Sequence, residues 1–151
     1  MSLIEWQDSF SVGVAAVDSD HKVLISLLNQ LYEAREGGQS QDVVGSVMNV
    51  LIEYTMSHFQ REERLMELGG YPEIEEHREM HRRLTAQVQT FRAQYEQGRQ
   101  AAVGELFEFL KNWLIGHILM VDTRYRPWVE KVQLTPEELA VGRPPEEDGE
   151  K

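Results

Sequence analysis

Apolar residues recur in steps of three and four through most of this chain, a spacing that gives a helix one buried face. Leu24, Leu27, Leu28 and Leu31 share one face of a helix predicted from about Asp20 to Glu36. A second helix, from about Gln41 to Leu68, carries Val44, Val47, Leu51, Thr55, His58, Glu62 and Leu65 on its stripe. The third starts near Pro72, read as a first-turn proline, and carries Ile74, His77, His81, Leu84, Val88, Phe91 and Tyr95. The fourth, from about Gln100 to Asp122 or a little beyond, runs through Val103, Leu106, Leu110, Trp113 or Leu114, and His117. Gly37-Gly38, Gly69-Gly70 with Pro72, Gly98 and Pro127 punctuate these segments. No segment alternates with a two-residue period, so strands are not expected. Short connections make successive helices antiparallel, which predicts an all-α, up-down-up-down four-helix bundle.

The ends differ from this pattern. The first 18 residues hold Trp6, Phe10, Val12, Val14 and Val17 without a helical period, and read as an extended arm over the bundle. From Leu134 the chain turns rich in Pro, Glu and Gly. Thr135-Pro136-Glu137-Glu138-Leu139 suits the start of one short helix, with the remainder solvated and mobile. The expected division is a domain over 1–133 and an acidic tail over 134–151.

Composition narrows the function. A chain of 151 residues fits one domain, and no apolar run approaches the roughly 20 residues of a spanning helix. Neither a signal peptide nor membrane insertion is expected. Cysteine is absent, which removes disulfides and thiolate ligands and suits a cytoplasmic location. A net charge of −11 repels phosphate backbones, so nucleic acid is not an expected partner.

The five histidines, at 21, 58, 77, 81 and 117, all fall on or beside the apolar stripes. Burying imidazoles and a carboxylate without partners costs several kcal/mol as an order of magnitude, so something must satisfy them. Singly, each has a plain reading. A lone core histidine such as His21 is more often hydrogen-bonded than ligating. His58-x-x-x-Glu62 is equally an i,i+4 hydrogen bond or a chelate. His77-x-x-x-His81 leans toward a metal, because two neutral imidazoles present lone pairs to one point. His117 and Asp122 are five residues apart, about 500° of helix and well off one face. Jointly, four helices contribute and no histidine is left for the surface, which favours a metal site.

At these residues the chain resembles the hemerythrin family, and within it the single-domain bacterial hemerythrins. Matching elements are Trp6, Val12-Gly13-Val14, Val17-Asp18-Ser19-Asp20-His21, His58-Phe59-Gln60-Arg61-Glu62-Glu63, Tyr71-Pro72, His77-x-x-x-His81, and Trp113-Leu114-Ile115-Gly116-His117-Ile118 followed by Asp122. The resemblance covers roughly residues 4 to 130. It implies two iron ions: one held by His77, His81 and His117, the other by His21 and His58 with an open position. Glu62 and Asp122 would bridge them, with an oxo or hydroxo group as the third bridge. Only Glu62 lies four residues from His58, so Glu63 is expected to point outward. Asp20 stands where many relatives have glutamine, and is expected to face solvent.

Five imidazoles and two carboxylates differ from the four carboxylates of ferritin-like oxidases. Neutral nitrogen donors favour iron(III) less, so the resemblance points to reversible dioxygen binding by a non-enzymatic carrier, store or local supplier. The alternatives are an oxygen or redox sensor, or peroxidase or nitric-oxide-handling activity at the same site. Leu24, Phe59, Trp113, Leu114 and Leu119 are candidates for a dry oxygen pocket, though any bundle core needs such residues. Because His117 and Asp122 must reach one metal pair, a π-turn or a shift of the helix end is expected between them.

Overall fold

The computed structural model describes residues 4–140 except 121; at 118–120 and 122–123 it describes the backbone alone. Four long helices form the frame: α1 (Ala15–Glu36), α2 (Gln41–Gly69), α3 (Ile74–Glu96) and α4 (Ala101–Met120). Helix α1 packs on α2 and α4, and α3 packs on α2 and α4, so the four close into a bundle. The described residues include no strand. None of their helices is long and apolar enough to cross a membrane.

Local chemistry sets the helix ends. Ser40 caps α2 by accepting a hydrogen bond from the Val43 N–H at 3.2 Å, satisfying a donor that the first turn leaves orphaned. At the other end Gly70 takes φ 72°, and the Tyr71 N–H returns to the Met66 carbonyl at 3.0 Å. That left-handed cap is natural for glycine and turns the chain sharply. Pro72 lies in this turn, two residues before α3, rather than in its first helical turn.

Helix α1 begins at Ala15, five residues ahead of the sequence expectation. Val17, His21, Leu24 and Leu28 are all buried, so the stripe extends back across one more step of four. The preceding arm contains one 3-10 turn, Asp8–Phe10, and buries Ile4, Phe10, Val12 and Val14 on the bundle. Asn29 pins it, accepting from the Ile4 N–H at 2.9 Å and donating to the Ile4 carbonyl at 2.7 Å.

After α4 the chain runs through a 3-10 segment, Asp122–Tyr125, into two short helices, α5 (Arg126–Val129) and α6 (Pro136–Ala140). Helix α4 ends at Met120 and the 3-10 segment begins at Asp122; the π-turn or helix-end shift expected between His117 and Asp122 falls on residue 121 and on the Asp122 side chain, outside the described residues. Gly69 lets α5 close on α2, because a Cβ there would lie 2.3 Å from the Trp128 carbonyl oxygen. Helix α6 is held to α2 by Arg64 and Glu138 at 2.7 Å. The tail beyond Ala140, expected to be solvated, lies outside the described residues.

Candidate metal centre

Each long helix sends imidazole to one level of the core. His21 comes from α1, His58 from α2, His77 and His81 from α3 and His117 from α4, and none is more than 4 % exposed. Glu62, one turn beyond His58, is fully buried among them. Its Oε1 lies 2.8 Å from the Nε2 atoms of both His77 and His81 and 3.6 Å from that of His117. Its Oε2 faces His58 Nε2 at 3.6 Å. Two groups with potential ligand atoms within 4.8 Å of one another result: Glu62, His77, His81 and His117, and His21, His58 and Glu62. Glu62 belongs to both.

The donor set fits two cations. Imidazole and carboxylate together suit first-row transition metals such as iron. His58 Nε2 is buried without a hydrogen-bond partner, an arrangement that is costly unless a ligand takes up the lone pair. Its other nitrogen is occupied, since Nδ1 lies 3.0 Å from Asp20 Oδ2. Burial holds the His58 pKa below its ordinary value, ahead of the raising effects of Asp20 and Glu62. The neutral ring therefore donates from Nδ1 to Asp20 and turns the Nε2 lone pair inward, the usual way a carboxylate fixes a ligating histidine.

Asp20 is the first correction to the sequence reading. It is 1 % exposed rather than solvent-facing. Lying beside His21 on α1, it faces α2, where Tyr54, His58 and Arg61 occupy one helical face. Tyr54 donates to Asp20 Oδ1 at 2.7 Å, and Arg61 donates from Nε to Oδ2 at 2.8 Å and from Nη2 to Oδ1 at 3.0 Å. Burial pushes the carboxyl upward, but His58 and Arg61 outweigh it and hold Asp20 well below its ordinary range. The buried charge is tolerated because a guanidinium neutralises it.

Glu63 is the second correction. It does not simply point outward: Oε2 lies 2.7 Å from His81 Nδ1, with the side chain 27 % exposed. Its partner sits on α3 across a narrow interhelical gap, so a position just off the core stripe still reaches the imidazole. Burial lowers the His81 pKa, but the bonds from Glu62 and Glu63 prevail and raise it. For Glu62 burial acts upward, and hydrogen bonds from His117, His77 and His81 with the His58 charge hold it well below its ordinary value.

Tyr125, which sequence reasoning did not single out, donates its phenolic hydrogen to Glu62 Oε2 at 2.8 Å and is fully buried. The Asp122 side chain, expected as the second bridge, and that of Leu119, expected in the oxygen pocket, lie outside the described residues.

Leu24, Trp113 and Leu114 line a small cavity with Leu28, Leu51 and Leu110, with room of about 10 Å3 for the centre of a water-sized molecule. Thr55 also borders it, but its hydroxyl is engaged with the Leu51 carbonyl at 2.8 Å. Trp113 connects cavity and ligands, stacking on His117 at 4.6 Å. Phe59 stands apart from this cavity, stacked flat on His81 at 3.9 Å.

An antiparallel helical bundle presenting buried imidazoles around a shared carboxylate is a metal-binding bundle. The hemerythrin HHE cation binding domain matches residues 12–129. The chain belongs to the hemerythrin family. It is 35% identical over 130 residues to a bacteriohemerythrin of Stenotrophomonas maltophilia, covering 86% of this chain and 84% of that one. A bacteriohemerythrin of Methylococcus capsulatus is 27% identical, over 84% of this chain and 97% of its own. The crystal structure of a wild-type hemerythrin superimposes with a TM-score of 0.80 at 26% identity, covering 85% of this chain and 99% of that chain. Membership implies an oxygen-binding protein with a di-iron site.

Proposed function

We propose that this chain binds dioxygen reversibly at two irons, as a carrier, store or local supplier, a role that requires no catalysis. The observation that carries the reading is the pair of buried ligand groups sharing Glu62. His77, His81 and His117 would hold one iron, and His21 and His58 the other. Glu62 would bridge them together with Asp122 and an oxo or hydroxo group. Once bound, the irons supply the two electrons that dioxygen takes up and gives back.

The chain's own residues prepare that site. Asp20 and Glu63 fix the tautomers of His58 and His81, each accepting from Nδ1 so that Nε2 is the metal-facing atom. Tyr125 orients Glu62 through Oε2. Leu24, Trp113 and Leu114 keep water from collecting beside the ligands, with Phe59 covering the outer face of His81. Leu119 belongs to the same proposed wall. We place the protein in the cytoplasm, with dioxygen as its ligand; the net charge of −11 argues against nucleic acid.

The deciding experiment is an optical titration of iron-loaded chain, cycled between anaerobic and aerated buffer, with iron measured after desalting. Two irons per chain and a visible band that appears with oxygen and disappears on its removal are expected. One iron or fewer, or irreversible bleaching in the first cycle, would overturn the reading.

A further inference from the structure

We propose that Tyr125, Tyr71 and Trp128 form a one-electron path from the metal centre to the surface, through which the chain reduces peroxide at the expense of small phenolic donors. The proposal rests on the di-iron reading above and adds an activity to it. Tyr125 begins the path: its ring lies 5.7 Å from that of the ligand candidate His77, and its hydroxyl donates to Glu62. Tyr71 meets Tyr125 edge-on at 6.1 Å, and Trp128 meets Tyr71 edge-on at 5.1 Å. These are ordinary contact separations for aromatic pairs. Tyr125 and Tyr71 are buried, whereas Trp128 is 41 % exposed. The row therefore starts against the ligands and ends in solvent.

Phenol and indole are among the side chains most easily oxidised by one electron, and an oxidised phenol must also release its proton. Tyr125 has an acceptor in place at 2.8 Å. The other indole near the ligands, Trp113, stacks on His117, but its buried Nε1 has no hydrogen-bond partner. Its other aromatic neighbour is Phe59, which is hard to oxidise and itself stacks back on His81. The path is also held mechanically. The Gly70 turn anchors Tyr71, and Gly69 admits the Trp128 carbonyl against the end of α2.

The reaction balances as one hydrogen peroxide and two phenols giving two waters and two phenoxyl radicals. The O–O bond breaks, and two electrons arrive singly through Trp128, Tyr71 and Tyr125. The donors' two protons complete the waters, while the Tyr125 proton moves within its hydrogen bond to Glu62 and returns when an electron from Trp128, crossing the Tyr71 ring without oxidising it, refills the hole. The diferric pair ends as it began.

To test this, iron-loaded diferric chain is treated with hydrogen peroxide without donor, and oxidised residues are mapped by peptide mass spectrometry. Oxygen adducts should concentrate on Trp128, vanish when guaiacol is added, and be absent from iron-free chain under the same peroxide. With guaiacol present, Trp128→Leu should slow its oxidation by about tenfold or more, while Trp128→Tyr restores most of the rate. Iron content and the oxygenated spectrum should be unchanged in both variants. Adducts on Trp113 or the histidines with Trp128 clean, wild-type guaiacol turnover in Trp128→Leu, or no consumption of peroxide would each overturn the path. A wild-type chain that holds no iron pair overturns the di-iron reading as well. A chain that holds iron and binds oxygen but spares Trp128 overturns the path alone.

Discussion

Asp20 and Glu63 make the same kind of bond to a histidine in different surroundings, and the difference sets how much each matters. Asp20 is sealed in with Arg61 and Tyr54, whereas Glu63 is reached by water. Asp20→Asn would leave Arg61 buried without its counter-charge, and breaking such a pair costs about 3–5 kcal/mol. It should also weaken iron retention by roughly 10–100-fold through the disturbed His58. Glu63→Gln should fall well short of both effects. Urea midpoints and competition with a chelator measure the two, and equal losses would refute the distinction. Leu114 raises a separate question, because it is both core and cavity wall. Leu114→Asn should lower stability by about 2–5 kcal/mol and markedly speed autoxidation at unchanged iron content. A wild-type oxidation rate in the surviving folded protein would remove Leu114 from the oxygen pocket. Of these residues the histidines and Glu62 were legible in the sequence, because they interrupt apolar stripes. Asp20 was not, since a charged residue next to a histidine reads as surface. The spacing of Tyr54, His58 and Arg61 was the available signal, placing a cation and a donor on the ligand's own face.

At the scale of elements, all four long helices followed from periodicity, and the errors fell at their ends. Helix α1 starts early because Val17 packs one step before His21. Helix α3 starts late because the Gly70 turn uses Pro72 as its outer corner. The short helix α5 escaped notice, since four residues are too few to show a period. Its closeness to α2 makes a specific expectation. Gly69→Ala would drive a methyl group into the Trp128 carbonyl, so α5 must move or α2 must fray, at about 1–3 kcal/mol for overpacking of this kind. Tyr125 directly precedes α5, so its bond to Glu62 should loosen too. Thermal melts with near-ultraviolet circular dichroism report both effects, and an alanine variant with a wild-type melt would show that the contact is slack.

For the molecule as a whole, the metal-free chain carries its ligand charges as a stability term. Glu62 and Asp20 titrate below their ordinary values of 4.5 and 3.8. Their stabilisation is therefore full above those values and lost as pH falls through the folded ones. His81, shifted up from 6.5, adds stability below that value and loses it as pH rises through the folded one. His58, shifted down, works in the opposite sense. Urea midpoints of iron-free chain should thus vary little between about pH 5 and 7 and fall steeply below about 4.5. Glu62→Gln should blunt the acid fall; an unchanged acid limb in that variant would refute its part. The expected ligands are also unevenly shared along the chain. His21, His58, Glu62, His77 and His81 precede the Gly98 turn, and His117 and Asp122 follow it. A single cut at this exposed turn would leave two pieces, neither able to complete an iron pair, and each ending at an exposed loop, where nicks are tolerated best. Expressed separately, residues 1–98 and 99–151 should recover the oxygenated spectrum only when mixed. Oxygen-dependent colour would then report complementation between two fragments.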